Sequence, residues 1–151
     1  GFIDGLAAWL AGSSRLSVKV AQAGEPLRAG TVYLAPDDQH MGLRDRHSIE
    51  ISNAPAINGF RPSASYLFES VAQKYGNAAL GLVLTGMGDD GLTGLRTLHA
   101  VGGQVLAQDE ETSVVFGMPG AAVAAGVSDG TLPLEMIAMR LTRLVAGAQR
   151  D

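Results

Sequence analysis

The chain has 151 residues, 46% of them hydrophobic and 17% charged, with a formal net charge of −4, which describes one domain with a filled core rather than a disordered segment. Cysteine is absent, so disulfides, thiolate metal sites and a cysteine nucleophile are excluded, and no Lys/Arg cluster provides the electrostatic footprint of nucleic-acid binding. No apolar run reaches the ~18 residues of a membrane span.

In chain order, Phe2, Ile3, Leu6, Ala7 and Leu10 fall at helical spacing and Gly12-Ser13-Ser14 ends the pattern. This apolar start contains Asp4 and no basic leader, so it reads as a helix and not as a signal peptide. Leu16, Val18 and Val20 alternate with Ser17 and Lys19, a half-buried strand. Gly24, Pro26 and Gly30 mark a turn region, and Thr31 to Ala35 reads as a second strand running into the loop Pro36 to His40. Met41–Leu43 and Ser48–Ser52 suit a hairpin around Arg44-Asp45-Arg46-His47. After an irregular stretch with Pro55, Gly59 and Pro62, Ser63 or Ser65 caps a helix to Tyr75 whose apolar side carries Tyr66, Leu67, Val71 and Ala72. Ala78 to Leu84 reads as a buried strand and Leu92 to Val101 as a helix stopped by Gly102-Gly103. Gln104 to Ala107 is a further strand, and Pro119 suits the first turn of a short helix, Gly120 to Ala125. Pro133 opens the last helix, Leu134 to Ala146. Strands alternating with helices predict an α/β fold, a three-layer α/β/α sandwich with a mostly parallel sheet and a small antiparallel hairpin.

The turn between strand and helix, Leu84-Thr85-Gly86-Met87-Gly88-Asp89-Asp90-Gly91, admits four readings. Gly86-x-Gly88-x-x-Gly91 matches the dinucleotide-binding pattern, with Asp109 roughly twenty residues on. Against it, Asp89 and Asp90 occupy the helix start where a pyrophosphate would sit, and their repulsion would cost several kcal/mol in a partly shielded site. In the second reading Asp90 is only the cap of the following helix, worth ~1 kcal/mol. The third is a cation site built with Asp37 and Asp38. In the fourth, an Asp fixed at a sheet edge orients a catalytic histidine, and a backbone N–H of the turn faces an oxyanion.

The stretch Leu84 to Gly91 resembles the LTGMGxDG signature of the chemotaxis protein-glutamate methylesterases, the CheB family. Tyr33-Leu34-Ala35-Pro36 with His40 resembles the family's YIAPxxxHM segment, and Arg61-Pro62-Ser63 with Phe68 its RPSVDxLF segment. Ala107 to Pro119 resembles its AQdexSxvVfGMP segment. The resemblance runs from about Gly1 to Leu144. It implies hydrolysis of glutamate methyl esters, and deamidation of glutamines, in chemoreceptors by a Ser-His-Asp triad without a metal or organic cofactor. Matched by motif, Asp90 is the triad acid, and the Met87 N–H belongs to the oxyanion hole. The implied partner is the cytoplasmic helical region of a chemoreceptor, the implied location is the cytoplasm, and family members commonly carry a receiver domain.

The family's GASTGG nucleophile turn and QHMP base turn do not occur in residues 1–151. The chain therefore reads as the part of the catalytic domain that follows them, inactive alone, and its fold is expected to be either marginal in isolation or complemented by another chain or by the missing segment. A non-catalytic interaction module of the same fold is the alternative. None of the ten serines lies in a G-x-S-x-G elbow; Ser113 reads as packing or capping. His99 falls on an apolar helix face and His47 in a hairpin turn. His40, which follows a strand, is the candidate for reaching the cleft. Arg61 reads as a surface ion pair, and Ser65 stands where the family motif has an acid.

Overall fold

The computed structural model describes the backbone of residues 1–150 and the side chains of residues 1–147. Helix α1 (Phe2–Ser13) leads into strand β1 (Ser17–Val20), which pairs in parallel with β2 (Thr31–Leu34). The antiparallel hairpin β3 (His40–Leu43) and β4 (Ile49–Ser52) follows as expected, with Met41 opposite Ile51. Helix α2 (Ala64–Tyr75) and a short 3-10 turn (Gly76–Ala78) precede β5 (Leu80–Val83). Then come α3 (Leu92–Ala100), β6 (Gln104–Gln108), α4 (Met118–Ala124), β7 (Gly130–Leu132) and α5 (Leu134–Arg150). Strands β5, β6 and β7 form a parallel ribbon with β6 in the middle.

Parallel strands linked by helices bury apolar residues on both faces. In β6, Val105, Leu106 and Ala107 are all at most 2% exposed, which explains why this strand shows no alternation. Val105 and Ala107 pack with Ala72 of α2, Val83 of β5, Leu95 and Leu98 of α3 and Ala122 of α4. A second cluster of Ala21, Met41 and Ile49, with Leu27, Tyr33 and Leu67 against it, joins the hairpin to the first ribbon.

Most element ends fall within a residue or two of the sequence expectation, and four differences have a physical reason or bear on the topology. The strand expected from Ala78 starts at Leu80, because residues 76–78 close a 3-10 turn that continues α2. Helix α4 begins at Met118 and not at Gly120; Pro119, which has no N–H to lose, fits within its first turn. Strand β7 was not anticipated: three residues are too few to show a period. The parallel strands also lie in two separate ribbons among the described residues, not in one sheet.

Helices α2 and α3 cross closely at Gly94. A Cβ there would lie 2.7 Å from both the Cα and the carbonyl oxygen of Ser65, so only glycine permits the approach. This crossing brings the start of α2 against the turn that ends in Asp90.

Candidate active site

Asp90 is half-buried and is held from outside its own turn. Its Oδ1 accepts from the Ser63 hydroxyl at 2.7 Å, and its Oδ2 accepts from the Ala64 N–H, also at 2.7 Å. The acceptor-only carboxylate thus serves one of the free N–H donors at the start of α2, where the helix dipole favours negative charge. The capping reading placed Asp90 on the wrong helix. Gly91 precedes α3 with no side-chain cap, and the first N–H of α3, from Leu92, goes to the Asp89 carbonyl.

Ser65, the departure from the family motif, is buried at the same junction. Its hydroxyl donates to the Asp90 carbonyl at 2.6 Å and accepts from the Gly94 N–H at 3.0 Å. It therefore ties the acid's main chain to both helices. Asp90 also walls an apolar cavity of about 290 Å³ lined by Ala35, Met41, Pro62, Ser63, Ala64 and Leu67; Asp90 is the only charged residue in this lining.

The preceding turn is fixed independently. The Thr85 N–H donates to Gln108 Oε1 at 2.8 Å, and the Thr85 hydroxyl accepts from the Val115 N–H at 2.8 Å. The Gly86 N–H donates to the Val115 carbonyl, and the Gly86 carbonyl accepts from the N–H groups of Gly117 and Met118 at 3.1 and 3.0 Å. Gly88 adopts φ +78, and a Cβ on Gly117 would lie 2.6 Å from the Gly86 oxygen. Glycine is therefore required at Gly117 by the close approach and favoured at Gly88 by its positive φ. Met87 sits at its apex with a side chain 80% exposed, and among the described residues its N–H has no hydrogen-bond partner. Asp89 is exposed beside it.

Gln108 was not singled out from the sequence. It is fully buried and joins Thr85 to Thr112, whose carbonyl accepts from Gln108 Nε2 at 2.8 Å. The signal was a polar residue closing an apolar strand, which has to be paired if it is buried.

His40 does not reach the cleft as a base. It is fully buried, stacked on Tyr66 at 4.6 Å between centroids. Its Nε2 lies 3.1 Å from the Pro55 carbonyl, and its Nδ1 accepts from the Ser63 N–H at 3.2 Å. Both ring nitrogens are used, with the proton assigned to Nε2 by those partners. His99 is exposed and lies 3.9 Å from Asp129, not on the apolar helix face expected of it, whereas His47 is exposed in the hairpin turn, as read from the sequence. Ser113 donates to the Asp109 carbonyl and so closes the turn after β6.

Arg61 forms the expected ion pair, its Nε and Nη2 donating to the two Asp38 oxygens at 2.9 and 3.0 Å. These bonds, and then the guanidinium charge, hold the Asp38 carboxyl below the usual carboxylate range. Burial pushes the Tyr66 phenol up; a Ser52 hydrogen bond opposes this, and Glu50, to which the phenol donates at 3.0 Å, adds to it. Asp38 is thus engaged away from Asp90, and among the described residues no three acidic or histidine side chains assemble as metal ligands.

Known proteins resemble this chain over nearly its whole length. The CheB methylesterase family model matches residues 1–141. A protein-glutamate methylesterase/protein-glutamine glutaminase from Myxococcus xanthus is 53% identical over 98% of the chain, and one from Rhizobium meliloti is 52% identical over 97%. In each case the chain spans 42% of the relative's length. The crystal structure of the Thermotoga maritima CheB methylesterase catalytic domain superposes with a TM-score of 0.92 at 37% identity, over 95% of this chain and 78% of that one. A parallel-stranded α/β fold, the acid-bearing turn and these matches lead to one conclusion: the chain belongs to the CheB methylesterase family.

Proposed function

We propose that residues 1–151 are the acid-bearing part of a catalytic domain that hydrolyses glutamate methyl esters, and deamidates glutamines, in chemoreceptors. The observation that carries this reading is the Asp90 carboxylate, fixed by two donors and opening on an apolar cavity. A triad acid needs that setting, a rigid and partly desolvated carboxylate with lone pairs left for an imidazole N–H.

Preceding residues of the protein supply the serine and the histidine. The serine Oγ attacks the ester carbonyl while the histidine takes its proton. The tetrahedral oxyanion collapses and the carbonyl re-forms. Methanol leaves with the proton returned by the histidine, and water, activated by the same base, hydrolyses the acyl-serine to free glutamate. Asp90 holds the histidine in the reactive tautomer and stabilises its charged form. The Met87 N–H, presented by the clamped turn, donates to the oxyanion. The partner is the cytoplasmic region of a chemoreceptor, which places the protein in the cytoplasm, and a receiver domain on the same protein is consistent with the family resemblance. No described helix is long and apolar enough to cross a membrane.

The test is methanol release from methylated chemoreceptor by the protein that contains this chain with its preceding residues. Activity that disappears in Asp90→Asn supports the reading. Equal activity in Asp90→Asn, or release by residues 1–151 alone, overturns it.

A further inference from the structure

We propose that Ser63 is a positioning residue for the triad acid, its hydroxyl fixing the plane of the Asp90 carboxylate. The inference rests on the reading of Asp90 as that acid, and it adds a residue to which the resemblance assigns no role.

The terminal torsion of an aspartate is broad and roughly two-fold. One hydrogen bond leaves the carboxylate free to swivel; two bonds to different oxygens define its plane. Here Oδ2 is held by the Ala64 backbone N–H, which no side-chain substitution removes, and Oδ1 is held by the Ser63 hydroxyl. Ser63 is the one side chain that donates to the carboxylate among the described residues.

The direction of that hydroxyl is itself constrained. A serine oxygen has one proton and two lone pairs. The Ser65 N–H donates to Ser63 Oγ at 3.2 Å, the bond that caps α2, so a lone pair faces the helix and the proton goes to Asp90. The backbone of Ser63 is anchored too, because its N–H donates to Nδ1 of the buried His40, whose ring is pinned by the Pro55 carbonyl and the Tyr66 face. Ser63 is 2% exposed. The serine lies on the cavity wall beside Asp90, next to the place where an imidazole would meet the acid.

The experiment measures methanol release and its pH dependence in the full protein for the wild type, Asp90→Asn, Ser63→Ala, Ser63→Gly and Ser63→Thr. Glycine keeps most of the helix-capping preference of serine but has no hydroxyl, so Ser63→Gly separates capping from orientation. Ser63→Ala and Ser63→Gly are expected to lose kcat by about 10- to 100-fold, the scale of one hydrogen bond to a charged group, with KM unchanged. The acidic limb of the kcat/KM profile, which reports the base in the free enzyme, moves to lower pH because a swivelling carboxylate stabilises the imidazolium less. Ser63→Thr, which restores the hydroxyl, recovers most of the lost kcat.

Wild-type kcat in Ser63→Gly, a loss confined to KM or to melting temperature, an unmoved acidic limb, or a Ser63→Thr no better than Ser63→Gly each overturn the positioning role while leaving the esterase reading intact. An inactive wild type, or an Asp90→Asn variant as active as wild type, overturns the esterase reading and the Ser63 role with it.

Discussion

Asp90 accepts from one hydroxyl and one main-chain N–H, so replacing it by asparagine sets an NH₂ against a donor on one side. Asp90→Asn is expected to lower kcat about 10⁴-fold, the scale of the wrong histidine tautomer, and to lower stability by about 1–3 kcal/mol for the donor left unpaired. Methanol release and urea denaturation read the two effects separately. Gly117 offers a complementary test. A Cβ there meets the Gly86 oxygen at 2.6 Å and the Gly88 nitrogen at 3.0 Å, and neither main-chain atom can turn aside. Gly117→Ala therefore displaces the Met87 turn and is expected to cost kcat about 10²- to 10³-fold, as loss of one oxyanion donor does, without moving KM. At this scale the position of the turn and its two carboxylates between a strand and a helix was legible in the sequence, because glycines and paired acids form a local pattern. His40 and Gln108 were not. Their surroundings come from Pro55, Tyr66, Thr85 and Thr112, contacts that spacing along the chain does not encode.

Among the elements, the crossing of α2 and α3 sets the position of the acid. Gly94→Ala would drive a methyl group into the Ser65 main chain at 2.7 Å. Overpacking of this kind costs about 1–3 kcal/mol, and a lower urea midpoint at unchanged m-value is the expected readout. Because Ser65 also ties Asp90 to Gly94, the same variant should lose activity before it unfolds. The helices and the hairpin followed from apolar periodicity and from Ser63 as a cap, which the structure keeps. The capping rule failed at Asp90 because it looks only at the next helix. The helix that this carboxylate serves begins 26 residues earlier in sequence. Strand β7 stayed invisible because pairing with β6, not its own composition, makes Gly130–Leu132 extended.

For the whole molecule, the fold class followed from the alternation of elements, whereas the division of the parallel strands into two ribbons did not. Pairing between ribbons is a property of long-range register. Large apolar side chains stand exposed on several elements, with Phe2 at 80%, Trp9 at 68% and Val114 at 91%. On the proposed reading, residues 1–151 taken alone are expected to melt below ~60 °C, under the upper mesophile range, and to gain stability when a segment carrying the serine and histidine turns is added in trans. Calorimetry on the two preparations checks this, and an isolated monomer with a cooperative melt above that temperature would refute it.

The central place of β6 in its ribbon also sets a gradient of local opening. Among the described residues it is the one strand with a neighbour on each side, so its amides should exchange with deuterated solvent most slowly, near the global unfolding limit. Those of β1 and β2 should exchange orders of magnitude faster. Gln108, at the end of β6, carries the Thr85 tether, so the Met87 turn hangs from the last strand to open. Asp90 hangs from the first turn of α2, a helix terminus and not a central strand. Thermal breathing of the molecule would therefore release the acid while the turn beside it is still in place, and deuterium uptake at Ala64 and Ser65 ahead of Thr85 would record that order.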